Sequence, residues 1–163
     1  MKFADPISVA KLSQFANVMY VASWDKMIRA VDMEQGKVVK SFVASKESIN
    51  CVHVTQTHIF VAGCDPIIRG FNLETGECKL YEGHKGWVYA LECYNNEWLV
   101  SGSDDRTIII WSIDSTKILE TLGGHENGVT SLAFAFGDLY SGSYDHHVIC
   151  WDMPDIEERI KEK

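Results

Sequence analysis

Residues 83–112 read GHKGWVYALECYNNEWLVSGSDDRTIIIWS, and this stretch decides the fold. Gly83-His84 opens it, and residues 87–94, WVYALECY, form a β-branched and aromatic run suited to a strand. Asn95-Asn96 is a turn pair. Residues 98–103, WLVSGS, give a second strand, Asp104-Asp105-Arg106 a tight turn, and residues 107–111, TIIIW, a third strand. After a turn at Asp114-Ser115, residues 117–122, KILETL, supply a fourth. The run of Ile108, Ile109 and Ile110 shows no apolar–polar alternation, which is expected of a strand covered on both faces.

The same unit recurs along the chain. Asp25, Asp65, Asp105 and Asp145 stand forty residues apart, and six positions after each comes Val31, Phe71, Trp111 or Trp151. The next residue is Asp32, Asn72, Ser112 or Asp152. A fourth copy restarts at Gly124-His125 and repeats the strand pattern through Trp151-Asp152. Two earlier copies fill residues 7–42 and 49–81, without the Gly-His opening, and their second-to-third-strand turns read as one residue shorter. A period of forty points to one supersecondary unit stacked on copies of itself, each burying the next one's face.

Gly-His, then Leu-x-Ser-Gly-Ser-x-Asp, then three aliphatic residues and Trp-Asp, resembles the WD-repeat β-propeller family. The resemblance covers residues 7–152 and is most specific in the last two copies. It implies an all-β fold of four-stranded antiparallel blades, at about 7–44, 45–82, 83–123 and 124–152, with residues 153–163 as a charged, short helical or disordered tail. It also implies an interaction scaffold, because the fold carries no fixed chemistry. Propellers of this family usually have seven blades, about 280 residues, so four copies predict an incomplete ring. Lys2-Phe3 reads as the tail of a preceding fourth strand, and the helical signals Pro154, Ile156, Ile160 and the Glu157–Lys161 pair replace the last strand of blade four. Bare outer blade faces and an unpaired edge then predict self-association, or a truncated product with no function of its own.

His84, Ser101 and Asp105, with Trp111, contain the residue types of a hydrolase triad. The resemblance assigns them instead to a structural hydrogen-bond network. The set recurs as His125, Ser141, Asp145 and Trp151, and two triads in adjacent blades would need two pockets and two oxyanion holes. Ser101 also lies in VSGSD, not on a Gly-x-Ser-x-Gly elbow. The chain is therefore read as non-enzymatic, with a serine hydrolase as the alternative. Blades one and two keep Asp25 and Asp65 but lack the histidine, so they are expected to depend on packing.

Composition narrows the partners. The net charge of −8 is uneven, with residues 1–80 near neutral and 81–163 strongly acidic. An acidic half disfavours nucleic acid and anionic membrane, and suits a basic protein or peptide. Five cysteines without a Cys-x-x-Cys argue for free thiols. Cys51, His53, His58 and Cys64 are the sharpest metal candidate, at a spacing that matches no known ligand pattern. No glycine-rich phosphate loop occurs, and no cofactor is expected. His146-His147 reads as a solvated pair, Arg29 and Arg69 as solvent-side charges. The opening residues lack a signal peptide's apolar run, so cytoplasm or nucleus is the expected address.

By the same resemblance, partners meet the face built from the loops before strand one and between strands two and three. Mapped here, that face presents Trp24, Lys26, Cys64, Trp87, Asp104, Arg106, Tyr144 and His146. Trp24 and Tyr144, each just before a turn aspartate, are the candidate anchors, since an aromatic beside charge is common hot-spot chemistry.

Overall fold

The computed structural model describes residues 5–14 and 16–162. These described residues form fifteen strands and one helix. The first sheet comprises β1 (Ile7–Leu12), β2 (Val18–Ser23), β3 (Met27–Asp32) and β4 (Lys37–Val43). The second comprises β5 (Ile49–Val54), β6 (His58–Gly63), β7 (Asp65–Asn72) and β8 (Cys78–Glu82). The third comprises β9 (Val88–Tyr94), β10 (Trp98–Ser103), β11 (Thr107–Ser112) and β12 (Ile118–Gly123). The fourth has three strands, β13 (Val129–Ala135), β14 (Asp138–Ser143) and β15 (Val148–Trp151), followed by α1 (Met153–Lys161). Each sheet is an antiparallel meander in sequence order, one propeller blade apiece. The blades do not close into a ring: their first strands pack in succession, β1 on β5, β5 on β9 and β9 on β13. Lys2-Phe3 lies outside the described residues.

Three apolar clusters lie at the three seams between neighbouring blades. Ile28, Ile49, Val52, Ile59 and Val61 join blades one and two. Phe60, Ile68, Tyr81, Leu91, Leu99 and Trp111 join two and three. Val100, Ile108, Leu122, Leu132 and Leu139 join three and four. This explains the unbroken isoleucines of β11: Ile108 and Ile110 serve one seam and Ile109 the other. Every first strand also carries a register shift at the residue after its opening apolar one, at Ser8, Asn50, Tyr89 and Thr130. Such a bulge leaves one residue unpaired and re-aims its side chain at the rim of the sheet.

One sequence expectation is sharpened and one corrected. The tail takes the short helical form, as α1, and its Met153 and Ile156 are fully buried in the seam between blades three and four. Asp152 caps the helix by accepting from the Asp155 N–H, and the Tyr94 hydroxyl donates to Glu157 at 2.6 Å. A helix of this length holds because packing, not propensity, stabilises it. The turn between strands two and three is also no shorter in blade one than in blades three and four. Lys26, Arg106 and His146 each close the same turn with a left-handed backbone, φ 68°, 72° and 69°, and an N–H bond to Ser23, Ser103 or Ser143. Blade two differs in kind: Pro66 occupies that position, with neither the N–H nor the positive φ.

Candidate functional site

In blade three, one relay ties the loop before the first strand to the turn after the second. The His84 Nδ1 lies 2.8 Å from Asp105 Oδ2, its Nε2 lies 2.7 Å from Ser101 Oγ, and the Trp111 indole donates to that same Oγ at 2.8 Å. Blade four repeats it with His125, Asp145, Ser141 and Trp151 at 2.7, 2.7 and 2.8 Å. Burial raises the Asp105 carboxyl pKa. Hydrogen bonds from His84, Thr107 and the Lys85 N–H outweigh it and hold the group well below the usual carboxylate range. Asp145 is depressed in the same way, burial being outweighed by the Glu126 and His147 N–H groups and by His125.

The directions follow from the chemistry. An ionised carboxylate only accepts, so Nδ1 carries the imidazole proton; an indole only donates, so the serine oxygen accepts from it. In the neutral imidazole, Nε2 then accepts from the serine hydroxyl. The relay is complete: among the described residues no buried side-chain nitrogen or oxygen lacks a partner. Ser101 has no exposed surface and lies behind Trp111. The glycine of each Gly-His pair is needed for the indole's approach, since a Cβ on Gly83 would stand 2.9 Å from Trp111. Before blade two, where Phe71 replaces the tryptophan, that position is Ala44.

Blades one and two solve the same problem with other residues, which corrects the reading of Arg29 and Arg69 as solvent-side charges. Arg69 is 8% exposed and grips Asp65 through two bonds, 2.7 and 3.2 Å. Arg29 holds Asp25 in the same two-pronged way. That hydrogen bond is the main reason the Asp25 carboxyl is depressed. The signal was present as Asp-x-x-x-Arg in both copies. It was missed because these residues replace the histidine by geometry and not by alignment: the arginine occupies the strand-three position held by Ile109 and Ile149 in the other blades.

The proposed partner residues sit on the turns between second and third strands, with Trp87 on the loop ahead of β9. Trp24, Trp87 and Tyr144 are each about half exposed, at 55%, 51% and 58%. Lys26, Asp104, Arg106 and His146 are exposed, while Cys64 is half-buried and exchanges weak contacts with Asn50. Neighbouring blades meet along this rim. Lys26 of blade one reaches Glu47 ahead of blade two at 4.0 Å, and within blade three the Tyr89 hydroxyl donates to Asp104 at 3.3 Å. The Tyr89 ring packs edge-on against Tyr144, with centroids 6.0 Å apart. Tyr89 was not singled out from the sequence. Its position on the bulge of the third copy, matching Ser8, Asn50 and Thr130, is the feature that marks it.

Cys51, His53, His58 and Cys64 are not gathered. Cys51 faces the Val88 carbonyl, His58 bonds Thr57, and His53 lies 3.4 Å from Glu92. Among the described residues no group of three or more His, Cys, Asp or Glu could hold a metal ion. His53 and Glu92 line a polar hollow with Lys11 where the first strands of successive blades end. Burial and the Lys11 charge outweigh a hydrogen bond to the Leu91 backbone and lower the His53 pKa to about 4.

Repeated four-stranded blades with buried His–Ser–Trp relays define a β-propeller. Comparison with known proteins agrees. Residues 76–112 and 116–152 match the WD40 family, the WD domain, G-beta repeat. Each matched segment contains the outer strand of one blade and the three inner strands of the next, or the equivalent span. The chain thus carries two WD40 repeats within an open β-propeller fold. It is 38% identical over 74 residues to the pre-mRNA-splicing factor PRP46 of Candida albicans, covering 43% of this chain and 19% of that protein. It is 27% identical over 137 residues to a ribosome biogenesis protein WDR12 homolog of Oryza sativa, covering 78% and 31%. The WD40 β-propeller domain of Doa1 superposes with a TM-score of 0.82 at 26% identity, over 92% of this chain and 52% of that one. The chain spans about a third or less of these two curated relatives.

Proposed function

We propose that this chain is a non-enzymatic interaction scaffold whose rim of second-to-third-strand turns receives a basic segment of a protein partner. The observation that carries this is the juxtaposition of Tyr89, Asp104 and Tyr144 on two blades: an aromatic pair set edge-on beside a carboxylate that a cationic side chain can reach. Trp24 and Trp87 extend the apolar contact area along the same rim. Aromatic anchors ringed by charge concentrate binding energy, and the acidic character of residues 81–163 steers a positive partner toward that half. Relatives named as a pre-mRNA-splicing factor and a ribosome biogenesis protein support a scaffold role. The relays in blades three and four act as turn clamps, since a serine with no exposed surface cannot meet a substrate.

Affinity purification with quantitative mass spectrometry tests it. Wild-type chain and Tyr144→Ala should be compared, with Phe136→Ala, on the fully exposed turn between β13 and β14, as control. The expected result is a set of basic-segment proteins depleted at least about tenfold by Tyr144→Ala alone, the loss typical of an anchor residue. An unchanged set would remove the rim from consideration.

A further inference from the structure

Three seams separate the four blades, and two of them are filled by the chain itself. Between blades two and three, Phe60, Tyr81 and Trp111 pack edge-on at 5.9 Å per step, and the Tyr81 hydroxyl donates to the Ile113 carbonyl at 2.8 Å. Between blades three and four, α1 lies against β12 and β14 and adds Met153 and Ile156 to the seam. Ile160 continues along Leu119 and Trp98.

The seam between blades one and two has the same apolar walls, bridged by the Phe42 and Phe71 rings at 5.1 Å, but no helix covers it. Tyr20, Phe42, Ile59, Phe71 and Leu73 line a groove of about 240 Å³. The correspondence with the filled seam is one to one. Phe42 faces Ile28 as Leu122 faces Ile108, and Ile59 pairs with Phe71 as Leu139 pairs with Trp151. Leu73 follows Phe71 by the interval at which Met153 follows Trp151, and Gly76 stands where Ile156 stands. Gly76 has a φ of +75° and bonds back to Asn72, so its segment turns into β8 and leaves the seam uncovered. A Cβ on Gly76 would meet nothing within 4 Å. Beyond the groove, Val39 occupies the bulge position of Leu119 but is 58% exposed. The flanking charge is reversed at one position, since Lys40 stands in place of Glu120, while Lys37 on the same strand matches Lys117 of blade three.

We infer that the seam between blades one and two docks an amphipathic helix of a partner protein, apolar at i and i+4 and acidic on its flank. The intramolecular helix shows the mode. Leu73 already supplies the Met153 contact, so the partner supplies the equivalents of Ile156 and Ile160, one beside Phe71 and one over Val39. Lys40 selects acidic neighbours for them. Burying two aliphatic side chains in a preformed apolar groove is the usual basis of helix-in-groove recognition. This surface lies apart from the aromatic rim and does not depend on it.

The probe is a dye-labelled synthetic helix of about 14 residues, long enough to be partly helical alone, with isoleucine at i and i+4 among glutamate and alanine. Titrated with the full chain, its anisotropy should saturate below about 1 mM. Val39→Asp, a change at an exposed position, should weaken binding at least about tenfold, and Lys40→Glu about threefold, while Tyr144→Ala leaves it unchanged. Three outcomes overturn the inference: no saturation, equal binding of a peptide with both isoleucines changed to asparagine, or indifference to Val39→Asp. Sedimentation showing a self-associated chain that Val39→Asp dissociates would overturn the assignment to a partner, because a second copy would then fill the groove.

Discussion

Blades one and two clamp the turn aspartate with an arginine four residues away on the adjoining strand. Blades three and four clamp it with a histidine about twenty residues back, on a loop of the same repeat. Both arrangements satisfy a half-buried carboxylate, but they constrain different things. The arginine staples a turn to its own strand. The relay ties the loop before the blade, the second strand, the turn and the third strand into one unit, and its tryptophan fills the seam against the neighbouring blade. A buried ion pair also returns little net stability once both charges are desolvated, so the number of segments tied together separates the two arrangements more than the strength of any one bond.

The largest expected difference is at the aromatic position. Trp111 has no exposed surface and packs against Tyr81 and His84. Trp111→Ala should cost about 3–5 kcal/mol, by cavity formation and by loss of the indole bond. Phe71 is only half-buried beside an existing groove, so Phe71→Ala should cost about half as much. Denaturant titration compares them. Equal losses would mean that the seams are packed alike and that the groove is closed in solution.

Serine 101 sharpens the comparison further. Ser101→Ala removes the acceptor of the Trp111 indole and the partner of His84 Nε2, both buried. The expected cost is about 1–3 kcal/mol, the penalty of stranded polar groups, with no activity lost. Val61 holds the matching strand-two position in blade two, where Val61→Ala should cost about 2 kcal/mol through the loss of two buried methyl groups, with no polar group stranded. Esterase turnover that survives purification and vanishes in Ser101→Ala would make the relay a catalytic one.

Much of this was legible in the sequence. The forty-residue period fixes the strand order, because each copy must bury its faces on the next, and the third and fourth copies display every member of the relay. What escaped was whatever depends on contact across repeats or on local geometry. The Asp25–Arg29 and Asp65–Arg69 pairs look like surface charges until the strand places the guanidinium under its turn. The helical signals of α1 were legible, but nothing local says that Met153 and Ile156 join the seam of Leu122 and Leu139. The role of Tyr89 depends on a bulge that no single copy announces.

Hydrogen exchange tests whether the clamps set local stability. Amides of residues 98–151 should open last, at least about tenfold more protected than those of 18–72, equivalent to about 1.4 kcal/mol. The reasoning is that opening blade three or four breaks a relay spanning four segments, while opening blade one or two leaves each arginine–aspartate pair intact within its own hairpin. Equal or greater protection over 18–72 would show that the ion pairs clamp as well as the relays.

The smallest expected effect lies in the turns themselves. Lys26, Arg106 and His146 adopt a left-handed backbone that costs a side-chain-bearing residue about 1 kcal/mol, and blade two avoids it by placing Pro66 there. Glycine at these positions removes the strain but adds freedom to the unfolded chain, so the two effects partly cancel. Arg106→Gly should therefore stabilise by about 0.5 kcal/mol, and Lys26→Gly by a similar amount, since both residues are exposed and close the same turn. Pro66→Gly should do the opposite, because the proline already restricts the unfolded state and no positive φ is relieved. The test is the sign of the change in thermal midpoint for each variant. If Arg106→Gly were destabilising, the arginine side chain would have to make a stabilising contact that its exposed position does not suggest. If Pro66→Gly were stabilising, the proline turn of blade two would be strained, and blades one and two would no longer form one class.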